Sequence, residues 1–304
     1  MRHSIKSAMV VGSFLFGLFM CLTSCEDILG HWEKPVPTIP GLLKGKFTIN
    51  ASGNQVRFSQ GNLQATYDGT KWTWALAKNQ WDYVGNAEGN TKVSDTTPFV
   101  AGYSGSATTV DLFGWVGASS IWDDINKYGI TSSTTTDATD GYGNVSAESL
   151  KSDWGNTIGT GWRTLAIKEW VYLFNTRTTT SGILYAKAKV NDVNGIILLP
   201  DDWDVSYYAL TSPNTADADY TTNEITSADW TSKLEAHGCV FLPVAGDRKG
   251  TAVNDAGSEG CYWSSTVQNV NGAYYVFFSS SEVSPTAPTY RYYGLSVRLV
   301  RNAE

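Results

Sequence analysis

The sequence predicts an α+β domain with two helices, mixed antiparallel sheets and long loops, preceded by a β-rich N-terminal extension. Three observations carry this. Residues 261–301 hold strand-length runs of aromatic and β-branched residues, punctuated by Asn, Gly, Ser and Pro. Two stretches, near 164–174 and 228–238, carry a helical apolar stripe. Long segments, such as the Ser, Thr, Asp and Gly-rich 131–144 and the polar 211–225, read as surface loops.

The chain opens with Arg2, His3 and Lys6, then an apolar run over residues 8–22 that is short for a membrane span. The run ends in Leu22-Thr23-Ser24-Cys25, a lipobox pattern. Residues 1–24 are therefore expected to be a lipoprotein signal peptide, with Cys25 the lipidated first residue of the mature chain. Several acyl chains make a stable anchor where one would be marginal. Residues 25–45 carry Pro35, Pro37 and Pro40 and read as an extended tether. The domain then spans 46–304, with the extension over 46–150 and the core over 151–304.

In the extension, 46–64 reads as a hairpin turning at Ser52-Gly53-Asn54, followed by strands near 72–77 and 81–84. In the core, Ile167, Trp170, Val171 and Phe174 form one helical stripe. A second hairpin, 182–199, is expected to turn at Asn194-Gly195. The second helix begins after a Ser227 or Thr226 cap, buries Trp230 and Leu234, and stops at Gly238. In the last run Leu295, Val297 and Leu299 share one face and Ser296 and Arg298 the other, which predicts a half-buried strand inside a sheet.

The order Tyr262-Trp263-Ser264-Ser265-Thr266, Ala273-Tyr274-Tyr275, then Arg291-x-x-Gly294-x-Ser296-Val297-Arg298-Leu299-Val300 resembles the Fibrobacter succinogenes major paralogous domain. That family, common in surface lipoproteins of Bacteroides-type bacteria, belongs with the C-type-lectin-like proteins. The group includes formylglycine-generating enzymes and retroelement-diversified binding proteins. Trp162-Arg163-Thr164-Leu165, Glu169-Trp170, the run 195–200 and the run 240–246 extend the resemblance. It implies a C-type-lectin-like fold and leaves function open, since such folds host binders and enzymes alike. Where members usually carry Ser or Thr before the first helix, this chain has Ala166, so Thr164 is the expected cap. Glu26 and Asp27 after the cysteine resemble an outer-surface export signal, which implies a lipid-anchored protein of the outer membrane, facing outward.

Composition narrows the chemistry. The formal charge is −7, and loss of Arg2 and Lys6 with the leader takes it to −9, which argues against nucleic acid and anionic head groups as partners. Only His3, His31 and His237 are present, too few for a zinc site or a Ser-His-Asp triad, and no phosphate loop occurs. The expectation is a protein that is not an enzyme and needs no cofactor. Asp123-Asp124 and Asp201-Asp202-Trp203-Asp204 are the clusters where a structural calcium could sit. Cys239 and Cys261, 22 residues apart and bound for an oxidising compartment, are expected to form a disulfide, the alternative being two buried thiols. The formylglycine-generating enzymes place redox-active cysteines differently, so enzyme activity of that kind is the least favoured reading.

What remains is recognition. Residues 267–293 are rich in Asn, Ser, Thr and Tyr, the composition of adaptable hydrogen bonds and rigid rings. Tyr274, Tyr290, Arg291, Tyr292 and Tyr293 are the candidate ligand contacts, and the ligand is a glycan or a protein. The reading is an adhesin-like surface module, with a fimbrial tip or a retroelement-diversified binder as alternatives. Trp263, Val297 and Leu299 are expected beneath it as core.

Overall fold

The computed structural model describes residues 39–86, 88–94, 109–116, 129–135 and 153–304. The expected signal peptide, Cys25, most of the segment expected to be a tether, and Asp123-Asp124 lie outside the described residues. Among the described residues, no helix is long and apolar enough to cross a membrane.

The chain is mainly β, which corrects the α+β expectation and sets aside the C-type-lectin-like fold with it. Seventeen described strands fall into five small sheets, against three short α-helices. The first helical stripe is real but yields only the nine residues Ile167–Asn175. The second breaks into an α turn (Ser227–Asp229), a π turn (Trp230–Leu234) and a 3₁₀ turn (Glu235–His237). Its caps are those expected: Thr226 Oγ1 accepts the Asp229 amide at 3.1 Å, and Gly238 closes it at φ 87°.

The terminal strand Leu299–Asn302 sits inside a four-stranded sheet, between Gln55–Phe58 and Arg163–Thr164, with Phe47–Thr48 at the edge. The segment leading into it is buried on both faces rather than half-exposed: Ser296 and Arg298 are inaccessible like Leu295 and Val297. Trp263, Val297 and Leu299 are core as expected. Residues 81–84 form no strand, whereas Trp72–Leu76 does, as the edge of a sheet with Leu63–Tyr67 and Thr109–Val110.

The hairpin Tyr185–Val190/Val193–Leu198 turns at Asn191-Asp192, both in the left-handed region at φ 48° and 64°. That is the two-residue primed turn, three residues earlier than Asn194-Gly195. Gly195 instead lies in the strand beneath Phe241, whose Cζ would stand 2.4 Å from any Cβ there. Val240–Pro243 pairs along that strand's other edge.

Three arginines are fully buried and hold loops by their carbonyls. Arg248 donates to Leu112, Thr131, Gly129 and Gly250 carbonyls. Arg298 donates to Asn62 Oδ1 and to the Ser59, Gln60 and Phe241 carbonyls. The planar guanidinium offers five fixed donors, so one side chain can satisfy several irregular segments at once.

Candidate binding cleft

The strand Gly260–Val267 runs into the loop 268–271, returns as Gly272–Phe278, and pairs with Val283–Tyr290. Period-2 alternation sends Tyr262, Val276 and Phe278 into one hydrophobic cluster and Cys261, Trp263 and Ala273 into another, and the loop 268–271 is left to solvent. Asn269 shapes the loop: its Oδ1 accepts the Asn271 and Gly272 amides at 2.9 Å each, and its Nδ2 donates to Gln268 Oε1.

At this end lies a cleft of ≈ 420 Å³, bounded by Gln268, Asn269, Asn271, Thr289, Tyr290 and Tyr293. Beside it three tyrosines stack. Tyr290 and Tyr292 have ring centroids 5.3 Å apart at 8°, and Tyr292 and Tyr293 5.2 Å apart at 29°. Tyr290 is 55% exposed, the most exposed large ring described. Lys249 Nζ stands 5.9 Å from the Tyr293 ring centroid. Burial, then the neighbouring Tyr293 and Tyr290, push the Tyr292 phenol up.

Of the five expected contacts, the structure brings Tyr290, Tyr292 and Tyr293 together. Tyr274 is half-buried on the neighbouring strand opposite Pro288 and does not line the cleft. Arg291 is a correction: it is wholly buried, donating to the Trp115, Val116 and Val270 carbonyls, with its guanidinium 5.4 Å over Trp115. A side chain committed to three carbonyls holds the loop and cannot meet a ligand. Gln268 and Thr289 line the cleft and were not singled out individually; only the composition of 267–293 marked them.

The disulfide is a second correction. Cys239 and Cys261 are both free and buried, in different clusters. Cys239 packs with Trp203, Trp230 and Phe241, and Cys261 with Trp115, Trp263 and Leu295. Desolvation pushes both thiols well up, the opposite of a reactive cysteine.

The calcium reading at 201–204 also changes. Asp201 Oδ2 already accepts from the Thr48 amide and hydroxyl and from Gln55 Nε2, and its Oδ1 pairs with Arg177 at 3.0 Å. Asp247, Asp255 and Glu259 bring carboxylate oxygens within 4.8 Å of one another, the described residues that could hold a cation. Desolvation, then Asp255 for Glu259, raises the carboxyls of Asp247 and Glu259, and Asn254 Nδ2 offsets part of this at Asp247.

A second opening, of ≈ 610 Å³, lies against the edge strand Trp72–Leu76, between Trp74 and Trp162. Its rings belong to the core: Trp162 is buried, with Arg301 stacked 5.5 Å over it.

Fold and cleft together define a mainly β domain that carries an open, tyrosine-edged cleft at one hairpin end. A family model described as a domain of unknown function (DUF8237) matches residues 200–300. The matched segment holds the whole cleft and excludes the strands that precede residue 200. No curated protein and no solved structure matches the chain.

Proposed function

We propose that this protein is a non-catalytic binding module that recognises a glycan at the cleft beside Tyr290, Tyr292 and Tyr293. The observation that carries the reading is the tyrosine stack at the rim of a concave polar cleft, with Tyr290 exposed and Tyr292 and Tyr293 half-buried. A sugar ring offers an apolar C–H face that stacks on an aromatic ring and hydroxyls that pair with amides and phenols. Concavity favours a glycan over a protein partner, which calls for a broader and flatter face. The Leu22-Thr23-Ser24-Cys25 pattern supports presentation on the outer membrane through a lipid anchor.

A glycan array probed with the full chain tests the reading. Binding to a defined glycan, lost in Tyr290→Ala while the melting temperature stays within a few degrees, is the expected result. Trp263→Ala serves as the contrast, since truncating that core ring costs roughly 3–5 kcal/mol. If Tyr290→Ala unfolds like the tryptophan variant, or binds unchanged, the cleft is not the site. Membrane fractionation of Cys25→Ala tests the anchor, and an unchanged membrane fraction would refute it.

A further inference from the structure

We infer that the cleft selects neutral glycans and excludes sialylated, sulfated and uronic-acid ones; the inference rests on the glycan reading above. The described residues bounding the cleft are amides, hydroxyls, phenols, a glycine and a proline, and none of them carries a charge. The nearby cations are committed or outside it. Arg291 is buried and spends its guanidinium on the Trp115, Val116 and Val270 carbonyls. Lys249 lies against the Tyr293 ring and does not line the cleft.

The groups left open are matched to hydroxyls. Asn269 is consumed by its own turn, and it takes Gln268 Oε1 as well, which leaves the Gln268 Nε2 donor without a partner among the described residues. The Thr289, Tyr290 and Tyr293 hydroxyls have no partner among the described residues, and each can both donate and accept. Such groups pair readily with sugar hydroxyls. A carboxylate or sulfate would instead leave its hydration shell without gaining a cation, and burying an unpaired charge is strongly unfavourable. The acidic balance of the chain adds to this: the net charge is −7. Gln268 and Thr289 are then the residues that set specificity, while the tyrosines supply area.

The experiment prints each neutral oligosaccharide beside its sulfated and sialylated counterparts and probes the array with the full chain. The inference expects the neutral member of a bound pair to be favoured at least tenfold. Gln268→Ala and Thr289→Val should each weaken that binding by roughly tenfold, the effect of one lost hydrogen bond to a polar ligand. Lys249→Ala should leave it unchanged. Equal or tighter binding of the charged counterparts, or loss of binding in Lys249→Ala, overturns the selectivity and leaves the glycan reading standing. Silence across every pair overturns the glycan reading itself, and this inference with it.

Discussion

Arg298 Nη2 donates to the Phe241 carbonyl at 2.6 Å, joining the segment before the terminal strand to the strand Val240–Pro243. The same guanidinium reaches Asn62, Ser59 and Gln60, so one buried cation ties the N-terminal sheet region to the C-terminal one. Desolvation pulls it down to about 10, still protonated at any physiological pH. Tyr262 Oη lies in the same network, accepting from Asn62 Nδ2 at 3.2 Å and donating to the Pro243 carbonyl at 2.8 Å.

Arg298→Met is therefore expected to destabilise the domain by about 3–5 kcal/mol, because it strands several buried acceptors at ~1–3 each. Urea unfolding checks this. A loss under 1 kcal/mol would mean the loops at 59–62 rearrange to satisfy themselves.

The helix Ile167–Asn175 has a borrowed cap. Ala166 precedes it with no acceptor of its own, Glu169 Oε2 accepts the Ala166 amide at 2.7 Å, and Thr266 Oγ1 accepts the Ile167 amide at 3.0 Å. Thr164, the expected cap, lies in a strand, where its hydroxyl accepts the Trp154 amide. Thr266→Val should cost about 1 kcal/mol, the usual value of a lost N-terminal cap. Ala166→Ser should recover part of that loss in the double variant, as read by thermal melts; no recovery would show that Thr266 acts through packing alone.

Asp111 is fully buried and accepts from the Val84 amide at 2.6 Å and Asn90 Nδ2 at 2.8 Å. Burial outweighs those bonds and raises its carboxyl to about 6. The folded value exceeds the unfolded one, so the neutral acid favours the fold. Its contribution is fully present below about pH 4 and lost as pH rises through 6. At ~1.4 kcal/mol per unit that is on the order of 3 kcal/mol. Stability measured between pH 4 and 7 should show this declining component, and Asp111→Asn should flatten it. An unchanged slope in the variant would assign the dependence to other groups.

Cys239 and Cys261 should both alkylate in denatured protein without prior reduction, and neither should react in the folded state, since both are buried and their thiols are pushed up. Peptide mapping by mass spectrometry reads each site separately. A crosslinked peptide pair containing both residues would restore the disulfide.

Several local elements are legible in the sequence alone. Apolar period placed the stripe Ile167, Trp170 and Phe174 and the interior of the terminal strand, and capping chemistry placed Thr226 and Gly238. Composition marked 267–293 as the exposed end that holds the cleft. Tertiary structure decided everything that depends on partners distant in the chain. The Ile167–Thr266 cap spans 99 residues and the Arg298–Asn62 bond 236. No local pattern distinguishes Arg291, clamped on Trp115, from an arginine left to meet a ligand. Asn191-Asp192, where the chain turns, tolerates left-handed backbone as the expected Asn194-Gly195 does. Val193–Leu198 pairs with Val240–Pro243 and is buried on both faces, with Ile196 and Leu198 in one cluster and Ile197 in another, so a slip of one residue would exchange the side chains that the two clusters receive. The same holds for fold class: short helical stripes were legible, but the share of the chain taken by small sheets was not. Strands of two to eight residues are specified by the neighbours they pair with rather than by their own sequence.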